Sequence, residues 1–315
     1  MFKSNKKIKL ALAPMAGFTD KAFRQICVKN GVDITWSEMI SAEGLVRQSL
    51  KNNKSLALAE KFGPKEKKYW VQIFGSNPSS MATASKIIAD EIKPFGIDIN
   101  LGCPVKKAQK AGYGSIQIKN IHRVVNIIKA IKKEISLPLS LKTRVGLKNP
   151  EEILEFAPKL EKAGIDQLVV HARTLKGMFH ETPHWKIVKQ LNSILSIPII
   201  YNGGIKTSED IKFYAEKTGC QTLMIGQSAI GNPQIFNNAN KDSVITKNEK
   251  LETIFQHAKL VKKYYGEKGL ISFRAHFSAY LKNYQNARQF RRQAVQIKSL
   301  KDVQYILQKI KEKTK

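Results

Sequence analysis

At 315 residues the chain can hold one large α/β barrel with an appendage or two average domains, and either buries a core without disulfides. Its 54 basic and 25 acidic residues give a formal charge of +29, which favours a polyanionic partner, nucleic acid first, and disfavours self-association at low salt. Three widely spaced cysteines, Cys27, Cys103 and Cys220, show no CxxC or Cys/His pattern; they argue against a secreted disulfide framework and against a zinc site, and a reducing cytoplasm is the simplest setting.

The N-terminal MFKSNKKIKLALAPMAG is basic and then apolar, but the apolar run is about half a membrane span and stops at Pro14, so a soluble chain without a cleaved signal is expected. Eight short runs rich in β-branched residues then recur: IKLALA (8–13), DITWSE (33–38), YWVQIF (69–74), GIDIN (96–100), LPLSLK (137–142), DQLVVH (166–171), IPIIYN (197–202) and QTLMIG (221–226). Helical patterns alternate with them. Thr19 is expected as the N-cap of KAFRQICVKNG, Asn77-Pro78 opens SSMATASKIIADEIK, and Thr207 opens SEDIKFYAEKTG with Gly219 as its stop. Alternating strand and helix means parallel strands, and eight units suggest a closed (β/α)8 TIM barrel. The second unit is the least regular, because residues 41–68 hold a weak helix and a lysine-rich loop.

After about residue 240 the alternation stops, which divides the chain into a barrel over 1–240 and a basic tail over 241–315. NNANKDSVITKNEK reads as a polar linker, followed by three helical periodicities on Leu251 to Val261, Phe273 to Tyr284 and Leu300 to Ile310, a small helical bundle. Aromatics at that spacing are read as core, with His276, Arg274 and Lys282 facing outward. The tail carries 18 basic against 6 acidic residues, and four of only nine arginines, Arg274, Arg288, Arg291 and Arg292. Arginine is the better phosphate ligand, so this clustering points to the tail as the nucleic-acid contact.

In such a barrel the reactive groups stand at strand C-terminal ends. Here those ends offer Pro14-Met15-Ala16-Gly17, Gln72, Asn100 with Cys103, Lys142 with Arg144, His171 with Arg173, Asn202-Gly203-Gly204, and Gly226-Gln227. Glycines after the seventh and eighth strands let backbone N–H groups approach a phosphate. Lys142 at a buried strand end can lend charge to an electron-rich ring. Cys27 and Cys220 read as small core hydrophobes, whereas Cys103 lies on a loop between Gly102 and Pro104. An ordinary thiol is mostly protonated at neutral pH, and can donate a proton or, once activated, attack. The residues alone leave both roles open.

LAPMAGFTDKAFR, SEM, VQIFG, DINLGCPVKKAQKAGYGS, SLKTRVG, VVHARTLKG, NGGI and MIGQSAIGNPQIF occur in order between residues 10 and 236, with a weaker block, FRAHFSAYLKN, in the tail. Together they resemble the signature blocks of the tRNA-dihydrouridine synthase family, and are most similar to its bacterial B-type members. The resemblance implies an FMN-binding barrel, a helical domain that grips tRNA, and reduction of the C5–C6 double bond of particular uridines with NADPH as electron donor. It further implies Cys103 as proton donor to C5 while reduced flavin N5 gives hydride to C6, and Asn100 on the uracil edge. Pro14, Met15, Ala16 and Gln72 would line the flavin ring, Lys142 would sit at its N1/O2 side, and His171 would touch it. Asn202, Gly204, Gly226 and Gln227 would hold the ribityl phosphate. Gln227 stands where the family usually has arginine, and GSIQIKN replaces a more apolar run. Lys106, Lys107, Lys110 and Arg274 are the expected RNA contacts, and Gly112 and Gly114 fit a loop that moves when RNA enters. Two other readings are a dihydroorotate dehydrogenase-like reductase of a free pyrimidine, which leaves the basic tail without a purpose, and a non-catalytic RNA-binding protein, for which Gln227 is the motive.

Overall fold

A computed structural model describes residues 7–48, 54–59, 62–238 and 245–312; parts of the expected lysine-rich loop and of the linker lie outside them. The strands are β1 (Lys9–Leu12), β2 (Thr35–Trp36), β3 (Ile40–Ser41), β4 (Tyr69–Phe74), β5 (Gly96–Leu101), β6 (Leu139–Arg144), β7 (Gln167–His171), β8 (Ile199–Asn202) and β9 (Thr222–Ile225). All pair in parallel, in the order β1-β9-β8-β7-β6-β5-β4-β2, with β3 also on β4. A bridge between Ala11 and Ile34, with Leu12 N donating to Ile34 O at 2.9 Å, joins the two edges and closes the barrel.

Strand alternation sorts the side chains into two layers. Val71, Ile97, Ile99, Leu139, Leu141, Leu168 and Val170 point outward into a core shared with the helices. Fully burying a side chain of this kind is worth about 1.5–3 kcal/mol, so this layer contributes heavily to the barrel's stability. Inward, Ala11, Ile34, Trp36, Trp70, Val169, Ile200 and Met224 fill the lumen, with the Trp36 and Trp70 rings stacked 5.9 Å apart. Above this plug the inward positions turn polar, with Gln72, Asp98, Asn100, Lys142, His171 and Asn202.

The expected strand 33–38 is reduced to Thr35–Trp36, and a second short strand, Ile40–Ser41, follows beyond its end. Trp36 stands opposite Trp70 but Ile40 opposite Ile73, so one extra residue is inserted between β2 and β3. Ser37 fills the gap: its N donates to Trp70 O at 2.9 Å, and its Oγ accepts from Gln72 N at 3.0 Å. The bulge delivers Met39 to the barrel mouth, where it lines the cavity. The irregular segment that follows holds α2 (Ala42–Arg47) and α3 (Lys54–Ala59), and is pinned by Glu66. One Glu66 oxygen accepts from Arg24 Nε at 2.8 Å and Thr35 Oγ1 at 2.7 Å, the other from Gly63 N at 2.6 Å and Gln25 Nε2 at 3.0 Å.

The remaining barrel helices are α1 (Lys21–Lys29), α4 (Pro78–Glu91), α5 (Lys106–Lys110), α6 (Ile121–Glu134), α7 (Glu152–Ala163), α8 (Trp185–Ile194), α9 (Ser208–Thr218) and α10 (Ile235–Asn238). Asn77 caps α4 and Thr207 forms a capping box with Asp210 on α9, which ends at Gly219 in the left-handed region (φ 74°). At α1 the cap is Asp20, not Thr19, because Thr19 Oγ1 is engaged with Met15 N at 3.0 Å and Met15 O at 3.1 Å. Thr19 therefore shapes the loop after β1.

In the tail, the first periodicity and the second as far as Tyr280 form α11 (Lys247–Tyr280), bent at Gly266 (φ 67°), while Leu281 and Tyr284 open and cap a short 3-10 turn after it, and the third forms α13 (Leu300–Glu312). The helix begins inside the expected linker, where Thr246 and Glu249 make a second capping box. Between α11 and α13 lies α12 (Ala287–Ala294), which the periodicity did not reveal. Phe273, Phe277 and Tyr280 are core, as read from spacing. His276 is not outward. It is 2 % exposed, within an aromatic cluster of Phe23, His257 and Phe273, and its Nε2 donates to Phe18 O at 3.1 Å. Helix α1 offers an apolar patch, and the imidazole faces completing it belong inside. Lys21 N donates to Tyr265 Oη at 3.1 Å, and Gly231 lies directly against the Ala279 backbone. The tail thus holds two loops of the barrel mouth, those after β1 and β9. Among the described residues no helix is long and apolar enough to cross a membrane.

Candidate active site

A cavity of about 450 Å³ opens at the C-terminal ends of the strands, in the size range of small-molecule sites. It is lined by every residue expected at the cofactor, Pro14, Met15, Ala16, Gln72, Lys142, His171, Asn202, Gly204, Gly226 and Gln227, and by Asn100 and Cys103. The sequence put these on seven separate strands. Barrel closure brings them together.

One wall is a polar chain. Asp98, fully buried, accepts from Gln72 Nε2 at 2.6 Å, and Gln72 Oε1 accepts from Asn100 Nδ2 at 2.8 Å. Asn100 Oδ1 in turn accepts from Gly102 N at 3.2 Å and Cys103 N at 3.0 Å. The Cys103 carbonyl accepts from Ser115 N at 3.2 Å and Ser115 Oγ at 2.7 Å, while Arg144 Nε donates to Gly102 O at 3.0 Å. Gly114 (φ 73°) lies so close that a Cβ there would sit 2.8 Å from Cys103 O. The half-buried thiol is therefore carried on a loop braced from several directions, unlike Cys27 and Cys220, which are buried.

The wall beside the polar chain, on β6 and β7, is cationic. Lys142 Nζ donates to Asn202 Oδ1 at 3.1 Å, and Asn202 is itself fixed by Nδ2 donating to Met224 O at 2.8 Å. Burial, helped by the Arg144 charge, pushes Lys142 down to about 8, against the pull of Asp98. Arg144 also gives Nη1 to Thr174 O at 2.9 Å, and burial, with Arg173 adding to it, lowers it to about 10. His171 is held well below its ordinary range by burial and then by Lys142, Arg144 and Arg173, so its imidazole is neutral. Its Nε2 faces Arg173 Nη1 at 3.3 Å, and since Arg only donates, Nε2 accepts and the ring proton is on Nδ1. Lys206 lines the same cavity, and among the described residues none of the lining groups is acidic. Such a wall suits an anionic or electron-rich ligand.

At the far end, Gly203 (φ 121°) and Gly204 (φ 76°) turn the chain after β8, and a Cβ on Gly204 would lie 2.6 Å from Tyr214 Oη. Glycine is required there twice over, by conformation and by space. Gly226 opens a short 3-10 turn at Gln227, closed by Ser228 Oγ donating to Ile205 O at 2.6 Å.

The expected RNA contacts lie outside the cavity. Lys106, Lys107 and Lys110 are exposed on α5, a turn beyond Cys103. Arg274 is half-buried and gives Nε and Nη2 to Ile297 O at 3.0 and 2.7 Å, so it fastens α11 to the chain before α13. Arg288, Arg291 and Arg292 are exposed on α12, whose Phe290 and Ala294 face the core. Sequence reasoning missed Asp98, Met39, Lys206 and the exposed Phe179 as parts of the site. Only Asp98 left a signal, an acidic residue two places before Asn100 on the inward face of a strand.

A family profile described as dihydrouridine synthase (Dus) matches residues 11–315. A probable tRNA-dihydrouridine synthase of Aquifex aeolicus is 33% identical over 314 residues, covering 98% of both chains. The tRNA-dihydrouridine synthase B of Pasteurella multocida is 36% identical over 288 residues, 89% of this chain and 85% of that one. Among solved structures, a 2-naphthoyl-CoA reductase complex has a TM-score of 0.59 at 12% identity, covering 73% of this chain. Histamine dehydrogenase from Rhizobium sp. 4-9 has a TM-score of 0.57 at 10% identity, covering 80% of it, and the chain spans about half of either structure. Those two likenesses concern the barrel fold; on the family profile and the relatives' identity over nearly the whole chain, this protein belongs to the dihydrouridine synthase family.

Proposed function

We propose that this chain is a cytoplasmic tRNA-dihydrouridine synthase that binds FMN, takes electrons from NADPH, and reduces the C5–C6 double bond of particular uridines in tRNA. The observation that carries the reading is Cys103, a thiol held on a braced loop beside a cationic wall, in a cavity with no acidic lining group among the described residues. The residues present fit a flavin mononucleotide: the glycine turns at Gly203-Gly204 and Gly226-Gln227 leave backbone N–H groups room for a phosphate, and Lys142 and neutral His171 face the space for the ring. When bound and reduced, the flavin supplies hydride for uracil C6. Lys142, oriented by Asn202, places positive charge where the ring is electron-rich. Pro14, Met15 and Ala16 line the cavity and would offer the ring an apolar surface. Cys103 Sγ gives its proton to C5, and the thiolate it becomes meets the charge of Arg144, which is bonded to the neighbouring Gly102 O and interacts with Cys103. Lys206 is the cation nearest in sequence to the glycine turn and offers the charge that Gln227 lacks.

The barrel over 1–240 and the tail over 241–315 divide the work. Drawing a uridine out of a folded tRNA must be offset by contacts elsewhere, and Lys106, Lys107, Lys110 and the α12 arginines are the exposed cations available. This tail favours tRNA over a free pyrimidine as substrate. The test is purified protein with a flavin absorption spectrum that, with NADPH, restores dihydrouridine to tRNA from cells lacking the modification. Reduction by Cys103→Ala at the parent rate would overturn the proton-donor role, and activity on free uracil or orotate but not tRNA would overturn the substrate.

A further inference from the structure

The polar chain beneath Cys103 has a direction. Each amide in it, Gln72 and Asn100, can sit either way round, with oxygen and nitrogen exchanged. The two ends decide. At the top, Gly102 N and Cys103 N only donate, at 3.2 and 3.0 Å, so Asn100 must turn its oxygen to them and its nitrogen to Gln72. At the bottom, an ionised carboxylate only accepts, so Gln72 must turn its nitrogen to Asp98, at 2.6 Å, and its oxygen to Asn100, at 2.8 Å. The two demands agree, and every link is satisfied in one order only.

We propose that Asp98 is a positioning residue for the proton donor: its carboxylate anchors the Gln72 amide from below in the order that the Gly102 and Cys103 amides demand from above, and so holds Asn100 against the Cys103 backbone. The inference deepens the reading of Cys103 given above and rests on it. Register supports it, since Gln72 pairs with Asp98 across β4 and β5, and Asn100 is two residues on from Asp98 and on the same inward face. Facing Asp98 inside the barrel are Gln72 of β4, Trp36 of β2, and Ser140 and Lys142 of β6; of these only Lys142 carries charge. Of the groups facing Asp98, Gln72 is the one that also bonds Asn100, so it is the contact through which the carboxylate reaches the Cys103 loop. Burial raises its carboxyl to about 6, with Gln72, Ser140 and the Lys142 charge opposing. Once protonated, Asp98 no longer requires a donor, and the order of the chain is held from the Gly102 and Cys103 amides alone. The carboxylate-to-amide bond also loses its charge assistance.

The test reads the top of the chain without using activity. Hydrogen exchange of the Gly102 and Cys103 amides is followed by mass spectrometry on the flavin-loaded protein from pH 5 to 8, corrected for intrinsic rates. Protection in the parent is expected to fall about tenfold as pH drops through about 6, the value of losing roughly one hydrogen bond. Asp98→Asn, which keeps shape but removes the charged anchor below Gln72, is expected to have low protection throughout and no step near 6. Gln72→Met, which interrupts the chain and leaves the carboxylate, should match Asp98→Asn in protection. Ser115→Ala removes a separate brace and should keep the pH step. A flat parent profile, or full protection in folded Asp98→Asn, overturns the proposal. If exchange behaves as expected, but single-turnover tRNA reduction by Asp98→Asn keeps the parent rate and pH profile, the chain orders the loop without serving proton donation and the proposal also fails. An absence of tRNA reduction in the parent would instead strike at the function proposed above.

Discussion

Replacing His276 by glutamine should remove a specific part of the protein's sensitivity to acid. His276 is 2 % exposed, and burial holds it down at about 4, against the hydrogen bond to Phe18 O, which pulls the other way. In the unfolded chain an ordinary histidine titrates near 6.5. A depressed native value means that the unfolded state takes up the proton first, so the group's contribution is whole above about 6.5 and is lost as pH falls toward 4. The difference of roughly 2.5 units corresponds to about 3 kcal/mol in full and about 2 kcal/mol by pH 5. Glutamine can still donate to Phe18 O but has no titration in this range. Urea unfolding followed by circular dichroism at pH 8 and pH 5 measures the change for both proteins. The parent should lose about 2 kcal/mol more than His276→Gln between the two. His257 is also held well below its ordinary range, by burial first and then by His276, so losing that neighbour lessens its own acid sensitivity and widens the difference in the same direction. Equal losses would show that His276 is not a buried neutral base and that the α1–α11 contact is looser than described.

Other outcomes follow from the same geometry. Cys103→Ala should bind flavin normally, judged by its absorption spectrum, yet lose most tRNA reduction in single-turnover assays. Gly204→Ala places a methyl 2.6 Å from Tyr214 Oη on a backbone at φ 76°, and should lower flavin occupancy of the purified protein. Glu66→Ala strands buried Arg24 and should cost about 3–5 kcal/mol in denaturant unfolding. Replacing Arg288, Arg291 and Arg292 together by glutamine should weaken tRNA binding with flavin content unchanged. The slope of log affinity against log salt should become shallower by roughly 1 for each phosphate that the variant no longer neutralises.

The barrel was legible because alternation and period are properties of neighbours along the chain. IKLALA and YWVQIF show which residues face out, and the polar ends mark the mouth. The bulge at Ser37 was not legible, since it depends on how β2 and β3 meet β4, thirty-odd residues away. His276 was misplaced for a related reason. A helical wheel of the tail shows a polar group on one face, but only α1 shows that Phe23 and Phe18 O are waiting for it. Helix α12 escaped because its arginine-rich sequence buries little beyond Phe290 and Ala294, too few positions to establish a period. At the site, the residue types were visible and their commitments to one another were not. Asn100 and Gln72 look like ligand-facing amides in sequence, but in the fold much of their hydrogen-bonding capacity is taken up by each other and by the Cys103 backbone.

Gly231 gives this architecture a further consequence. A single methyl there would lie 2.6 Å from the Ala279 carbonyl carbon, so the loop after β9 and the end of α11 share one surface with no space between them. Through Phe18 and His276 the loop after β1 is bound to the same helix. The tail is therefore not an exchangeable handle: a tail transplanted from a relative brings its own α11 surface against both loops, and a chimera built at residue 240 must be judged by its flavin content before its choice of RNA is compared.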